Sequence, residues 1–253
     1  MTTQAPKRPL VFYRTGPMPC PYLDGRVERN LFTELRGGQA QNQHDQLALA
    51  GFRRSHHMVY RPACPGCNGC VPIRIPVAAF GPSRSQQRVW NRNADLRVNC
   101  GGAIANYEQY NLFFRYQRAR HAGSEMAAMS FSDFRAMIEE SMVETELMSL
   151  RHPDGTLLGA CLIDVLSTGL SAVYSYFEPA ADRRSLGTYS VLRLVQEARA
   201  RALDHVYLGY WIEDCAKMTY KSRFRSIQHL SSNGWTDASL PGKGTPVDEP
   251  TIA

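Results

Sequence analysis

Three apolar segments separated by very short turns limit what this chain can fold into. They cover residues 146–151, 156–166 and 170–177, and they are divided by HPDG at 152–155 and STG at 167–169. Connections this short leave no room for a crossover, so the three segments are predicted to be neighbouring antiparallel strands. The third ends at Glu178 and Pro179. A loop follows at 181–187, then a predicted helix over 188–203 with Val191, Leu192, Val195, Ala198 and Ala202 on its inner side. A last strand is expected at 205–212. Upstream, Tyr107, Tyr110, Phe113, Phe114 and Gln117 recur at helical spacing, and Phe134, Met137, Ile138 and Met142 predict a second helix after Ser132.

The order is two helices, three antiparallel strands, a glycine-containing loop, a helix and a strand. It resembles the core of the GCN5-related N-acetyltransferases, which makes the expected fold class α+β with an acyltransferase-like core. The first half is different. Pro17, Pro19, Pro21 and Gly25 mark loops, 52–60 reads as one poorly alternating strand, and 71–76 is a short strand with prolines in it. Ser83 and Gln86 form a capping-box pair opening a helix that carries Arg84, Arg88 and Arg92 on one face. A linker is expected near Cys100, Gly101 and Gly102. The expected division is a smaller cysteine-containing N-terminal domain at 1–102, the acyltransferase-like domain at 103–235 and a loose tail at 236–253, rich in Pro and Gly.

Charge separates the halves. Residues 1–102 hold 14 Lys and Arg against 5 Asp and Glu, whereas the remainder holds 15 against 18. A basic half of that kind suits an anionic partner, with nucleic acid the commonest one and a plain soluble surface the alternative. The N-terminus lacks the apolar core of a signal peptide, and no apolar run nears the ~20 residues of a membrane span, so a cytoplasmic protein with no membrane partner is expected.

Seven cysteines, an odd number, are spread over the chain, and three of them follow Cys64-x-x-Cys67-x-x-Cys70. Pro65, Gly66 and Gly69 permit the tight turns that let three thiolates reach one metal centre. Cys20, between two prolines, is the expected fourth ligand, with His44, His56 and His57 as alternatives. Four sulfur ligands suit zinc or an iron–sulfur cluster, and spacing leaves the two open. The alternative is a turn of small residues with unliganded thiols.

In the acyltransferase fold, the loop before the long helix aims backbone N–H groups at a pyrophosphate through Gln/Arg-x-x-Gly-x-Gly/Ala. Here Arg184 and Gly187 match, but Tyr189 stands where a tiny residue belongs. That substitution argues against an acyl-coenzyme A donor and for an acyl carrier of another shape.

Taken together, these segments make the chain resemble the arginyl/leucyl-tRNA–protein transferase family. The blocks that carry the resemblance are CPYLDGR at 20–26, YRPACPGCNGCVPIR at 60–74, SRSQQR at 83–88, YSYFEP at 174–179, SLGTYS at 185–190, YLGYWI at 207–212 and CAKMTYK at 215–221. They span about 16–235. The short length and three-cysteine block look like the bacterial leucyl branch. The resemblance implies transfer of leucine from leucyl-tRNA to the α-amine of proteins beginning with Asp or Glu, marking them for degradation in the N-degron pathway. Arginine as the transferred residue, or an acyl-coenzyme A N-acyltransferase, is the alternative; a non-enzymatic metal-containing nucleic-acid-binding protein is a further rival.

No cofactor is required for such a transfer, because an amine with a pKa of ~8 can attack the ester directly. Positioning and oxyanion stabilisation then supply most of the rate. The candidates for the oxyanion are the backbone N–H groups at Leu186 and Gly187. Tyr174, Tyr176, Tyr189 and Tyr210 are candidates to orient the terminal adenosine, with core packing as their alternative role. Glu178 and Asp214 are candidates to take the amine proton. Arg74, Arg84, Arg88, Arg92, Lys217 and Lys221 are candidates for tRNA phosphates or the acceptor carboxylate.

Overall fold

The computed structural model describes residues 10–237. Short strands β1 (Tyr13–Arg14), β2 (Met18–Pro19) and β3 (Val27–Glu28) precede β4 (Asn30–Glu34), helix α1 (Ala40–Leu49) and the hairpin of β5 (Arg53–Ser55) and β6 (Met58–Pro62). Next come β7 (Val71–Pro76), α2 (Arg84–Arg92), β8 (Arg97–Gly102), α3 (Tyr107–Arg120) and α4 (Phe131–Glu139). The three predicted strands are β9 (Thr145–Arg151), β10 (Leu157–Leu166) and β11 (Gly169–Phe177). They lead to α5 (Leu186–Ala200), β12 (His205–Trp211), a 3-10 segment at Ala216–Arg223, and the hairpin of β13 (Gln228–Ser231) and β14 (Gly234–Thr236).

Eight strands form one mixed sheet in the order β14-β13-β7-β12-β11-β10-β9-β8. Its single parallel pair is β11 with β12, the pair that needs a crossover, and α5 supplies it. A four-stranded sheet, β1-β4-β6-β5, forms a second layer.

Alternation along the strands sends side chains to two cores. Met148, Leu150, Cys161, Ile163, Val206 and Leu208 pack on the side of Leu192, Val195 and Ala198 of α5. Leu147, Ala160, Leu162 and Tyr176 pack on the other side, against Leu112, Phe113, Phe134 and Ile138 of α3 and α4. Each large apolar side chain fully buried this way contributes roughly 1.5–3 kcal/mol. Capping boxes start three helices: Ser83 with Gln86, Asn106 with Gln109, and Ser130 with Asp133.

A buried ion cluster ties the N-terminal layer to the sheet. The Asp164 carboxylate in β10 accepts from Arg54 Nε (2.8 Å), from Thr145 Oγ1 (3.2 Å) and lies 2.9 Å from His44 Nε2. Burial opposes its ionisation, but the hydrogen bonds from His44 and Arg54 hold its pKa below the usual carboxylate value. Removing one partner of such a buried pair costs about 3–5 kcal/mol. His44 thus spends its Nε2 on this cluster.

Several expectations are corrected. The single strand at 52–60 is a hairpin that turns at His56 (φ 53°). The second helix starts at Phe131 on the Ser130 cap, not after Ser132, and stops before Met142. The expected linker at Cys100–Gly102 is the end of β8, whose Cys100 pairs with Met148 and packs on the core. Strands from both sides of residue 102 consequently share one sheet. The expected tail, apart from Thr236 and Asp237, lies outside the described residues. Among the described residues, no helix is long and apolar enough to cross a membrane.

Candidate functional site

At the centre of the large sheet, β11 and β12 pair only through residues 169–171 and 205–207, and then part. Both strands carry an extra residue at that level. Against β10, Leu162 faces Tyr174 and Ile163 faces Ala172, which leaves Val173 over. Against β7, Tyr207 faces Arg74 and Gly209 faces Ile73, which leaves Leu208 over. Bulges bend a strand and unpair its backbone, so a buried split of this kind leaves carbonyls in need of donors.

Two cations supply them. Arg53 Nη2, from β5, donates to the carbonyls of Val173 (2.9 Å) and Ala172 (3.3 Å). Lys221 Nζ, from the 3-10 segment, donates to Leu208 (2.8 Å) and Tyr210 (2.6 Å). The Arg53 guanidinium lies against Gly209, whose φ of +70° and missing side chain make the approach feasible; a Cβ there would stand 2.5 Å from Cζ. Burial lowers the Lys221 pKa to about 7, and Arg53 adds to the effect. Burial also opposes the charge on Arg53, but the phenols of Tyr60, Tyr210, Tyr22 and Tyr220 more than offset it and hold its pKa above the ordinary value.

Aromatic side chains line the split. Tyr210 packs edge-on to Tyr60, and its hydroxyl proton is shared between the carbonyls of Gly51 (3.0 Å) and Tyr60 (3.1 Å). The Tyr174 hydroxyl accepts from Gln117 Nε2 at 2.6 Å, which fixes a lone pair and leaves its own proton available. Burial raises the pKa of Tyr174, and Tyr116 adds to the shift. Burial, followed by the influence of Tyr60, pushes Tyr22 up to about 12.

The cysteine cluster borders this site. Cys64 Sγ accepts from the Arg29 N–H (3.4 Å), Gly66 turns the chain with φ +62°, and the Cys67 N–H returns to the Cys64 carbonyl at 3.4 Å. Burial, followed by the influence of Cys64, Cys20 and Cys67, raises Cys70 to about 12. Among the described residues, no three His, Cys, Asp or Glu side chains take up a metal-holding arrangement. The donor set suits a thiophilic ion, while its arrangement is not that of a closed ligand shell.

Tyr174 and Tyr210 belong to the two strands that part, Tyr174 held by Gln117 of α3, and Lys221 lies on strand carbonyls and not on a surface open to phosphate. Glu178 follows β11, where its carboxylate accepts from Arg115 (2.8 Å) and caps the Ala180 N–H. Asp214 is exposed, three residues past the end of β12. Leu186 is buried in the core at the start of α5, and Gly187 lies against the Phe177 ring. Tyr189 is 1% exposed and packs on Trp90, and Tyr176 is 0% exposed among Phe113 and Phe134. Both are core rings and present no face to a base.

Arg184 pairs with Asp95 through two 2.9 Å bonds, which pins the loop to the turn after α2. Arg74 is inside, donating to Gln228 (2.7 Å), with its guanidinium 4.4 Å from the Trp235 ring centre and 5.8 Å from that of Tyr207. Arg84, Arg88 and Arg92 are exposed on α2, where Arg92 also donates to the Arg183 carbonyl. Lys217 lies on the 3-10 segment, its side chain outside the described residues.

Arg53 escaped the sequence reading, since nothing local distinguishes it from Arg54. The available signal was Gly209, a lone glycine inside a strand, which marks a bulge or a close approach.

The parallel pair splits beside the crossover helix and is braced by Arg53 and Lys221 among phenols. The family described as arginine-tRNA-protein transferase matches residues 18–88 with its N-terminal part and 108–231 with its C-terminal part. An aspartate/glutamate leucyltransferase of Gluconacetobacter diazotrophicus is 50% identical, over 96% of this chain and 95% of that protein. Another, of Paramagnetospirillum magneticum, is 48% identical over 94% of this chain and 97% of that protein. Among solved structures, L-PGS from Bacillus licheniformis aligns at a TM-score of 0.47 with 10% identity, covering 80% of this chain and 69% of that one. The class is therefore that of aminoacyltransferases that act on proteins. The chain belongs to the aspartate/glutamate leucyltransferase family.

Proposed function

We propose that this chain moves leucine from the 3′ end of leucyl-tRNA onto the α-amine of proteins beginning with Asp or Glu, and that the split between β11 and β12 is where ester and amine meet. Family membership supports the reaction. The paired bulges at Val173 and Leu208 support the location, because they hold two strands apart at the centre of an otherwise closed sheet.

The amine attacks the leucyl ester carbonyl, a tetrahedral oxyanion forms, and its collapse makes the amide and expels the ribose hydroxyl, which regains a proton that the amine gives up. In this reading Tyr174 donates its free hydroxyl proton to the developing oxyanion, held in orientation by Gln117. Tyr60 and Tyr210 flank the entering groups. We read the core as the GCN5-like arrangement expected from the element order, extended by β7 and β8, with the basic surface of the first half facing RNA. Arg84, Arg88 and Arg92 on α2 suit phosphate contacts. Cys20, Cys64, Cys67 and Cys70 are the set that would hold zinc or an iron–sulfur cluster, with no step of the transfer passing through it. Leucyl-tRNA as donor sets the reaction in the cytoplasm.

The test is transfer of labelled leucine or arginine from its tRNA to peptides starting with Asp, Glu, Lys or Ala. Label from leucyl-tRNA on the Asp and Glu peptides alone is expected. Arginine transfer, or equal labelling of the Lys peptide, contradicts the proposal.

A further inference from the structure

We propose that Arg53 is the specificity-determining residue that reads the acceptor, a free N–H of its guanidinium taking an oxygen of the side-chain carboxylate of the first Asp or Glu. This rests on the aminoacyl-transfer reading above and names the cation that reading lacks.

The contrast with Arg54 carries the inference. The two arginines are adjacent in β5, yet Arg54 is neutralised by Asp164, whereas no carboxylate pairs with Arg53 among the described residues. Arg53 spends only Nη2, on Val173 and Ala172, and neither its Nε nor its Nη1 has a described acceptor. Those two bonds, the close approach of Nε, Cζ and Nη1 to Gly209 and the Tyr210 ring 5.8 Å from Cζ hold the guanidinium in place before any ligand arrives. Lys221 braces the facing bulge and likewise has no acidic partner among the described residues, so the split holds Arg53 with no resident carboxylate beside it. Low polarity among the phenols strengthens a charge pair formed there.

The location also suits a carboxylate that belongs to the acceptor. In an N-terminal Asp only Cα and Cβ separate the carboxyl group from the α-amine, so its receptor must lie within roughly 5 Å of the attacking nitrogen. Arg53 is anchored on the carbonyl of Val173, the residue before Tyr174. Arg74, Arg84, Arg88 and Arg92, by contrast, are either enclosed by rings or exposed on α2.

The test compares Asp and Asn peptides, which match in shape and differ in charge. Leucine transfer by the full chain is measured for wild type, R53M and R53K. Binding of the same labelled peptides without tRNA is followed by fluorescence anisotropy. Wild type should favour Asp over Asn by roughly a hundredfold in kcat/KM. R53M should bring that ratio near unity and R53K to about ten, with KM for leucyl-tRNA staying within roughly twofold. Losses by R53M that are equal on both peptides, or that fall on KM for leucyl-tRNA, overturn the proposal and assign Arg53 to the RNA or to the fold. If R53M fails to melt cooperatively, R53K carries the comparison. If wild type transfers no leucine, the aminoacyl-transfer reading fails, while binding still decides on Arg53: Asp-selective binding lost in R53M upholds it, and equal binding of Asp and Asn by wild type rejects it.

Discussion

Lys221 shows how one residue couples the split to pH. In the unfolded chain its ammonium keeps its proton up to about 10.5, whereas in the fold burial brings the pKa to about 7. Between those values the unfolded chain binds the extra proton, so stability rises with pH across that window; below about 7 both states are protonated and the burial penalty is fully present. Thermal melts should show Tm climbing from pH 6.5 to 9 in wild type and a flatter profile in K221M. The same variant leaves two strand carbonyls without donors and should lose about 2–4 kcal/mol at neutral pH. A K221M profile parallel to wild type would contradict the assignment. Tyr174 calls for a kinetic test. Y174F keeps the ring and removes the donated proton, so kcat should fall roughly 10- to 100-fold with Tm nearly unmoved. An unaltered kcat would remove Tyr174 from oxyanion stabilisation.

At the scale of elements, the two bulges set the geometry, and Gly209 is their weak point. Alanine there must adopt φ +70°, at about 1 kcal/mol, and would push aside the guanidinium, the far end of a flexible side chain. G209A should therefore lose roughly 2–4 kcal/mol of stability as the Val173 and Ala172 carbonyls lose their donor, and more than roughly tenfold in turnover of Asp peptides; full turnover would show that the seat of Arg53 is unimportant. The cysteine turn gives a separate expectation. Metal analysis of anaerobically purified protein should find zinc or iron that C67S releases, and metal-free wild type would discard the ligand proposal. Elements with a strong local signal were legible before the fold was known: β9, β10 and β11 from their short turns, α5 and β12 from periodicity, α2 from its Ser83 and Gln86 cap. The bulges were not, because an extra residue is defined only by the partner strand. α1 was equally hidden, since AQNQHDQLAL at 40–49 has little amphipathic contrast and gains its stability from Ala48 packing with Leu166 and Tyr207.

Across the whole molecule, the same partition separates what the sequence could reveal from what it could not. Tyr174 and Tyr210 were legible as candidates, but so were Tyr176 and Tyr189, and only the packing of α3 and α5 against the sheet tells rings at the split from rings in the core. Charge was legible as a sum and not as a site: the basic half contains Arg54, already neutralised, and Arg53, which is not. The proposed meeting place of ester and amine is where β11 leaves β12. A crystal structure of the protein with leucine amide-linked to the 3′ position of adenosine tests this directly. The leucyl carbonyl should lie between the two strands, within about 3 Å of the Tyr174 hydroxyl. A leucyl-adenosine seated in the cleft between α2 and α5, near Trp90 and Arg199, with nothing between β11 and β12, would contradict it.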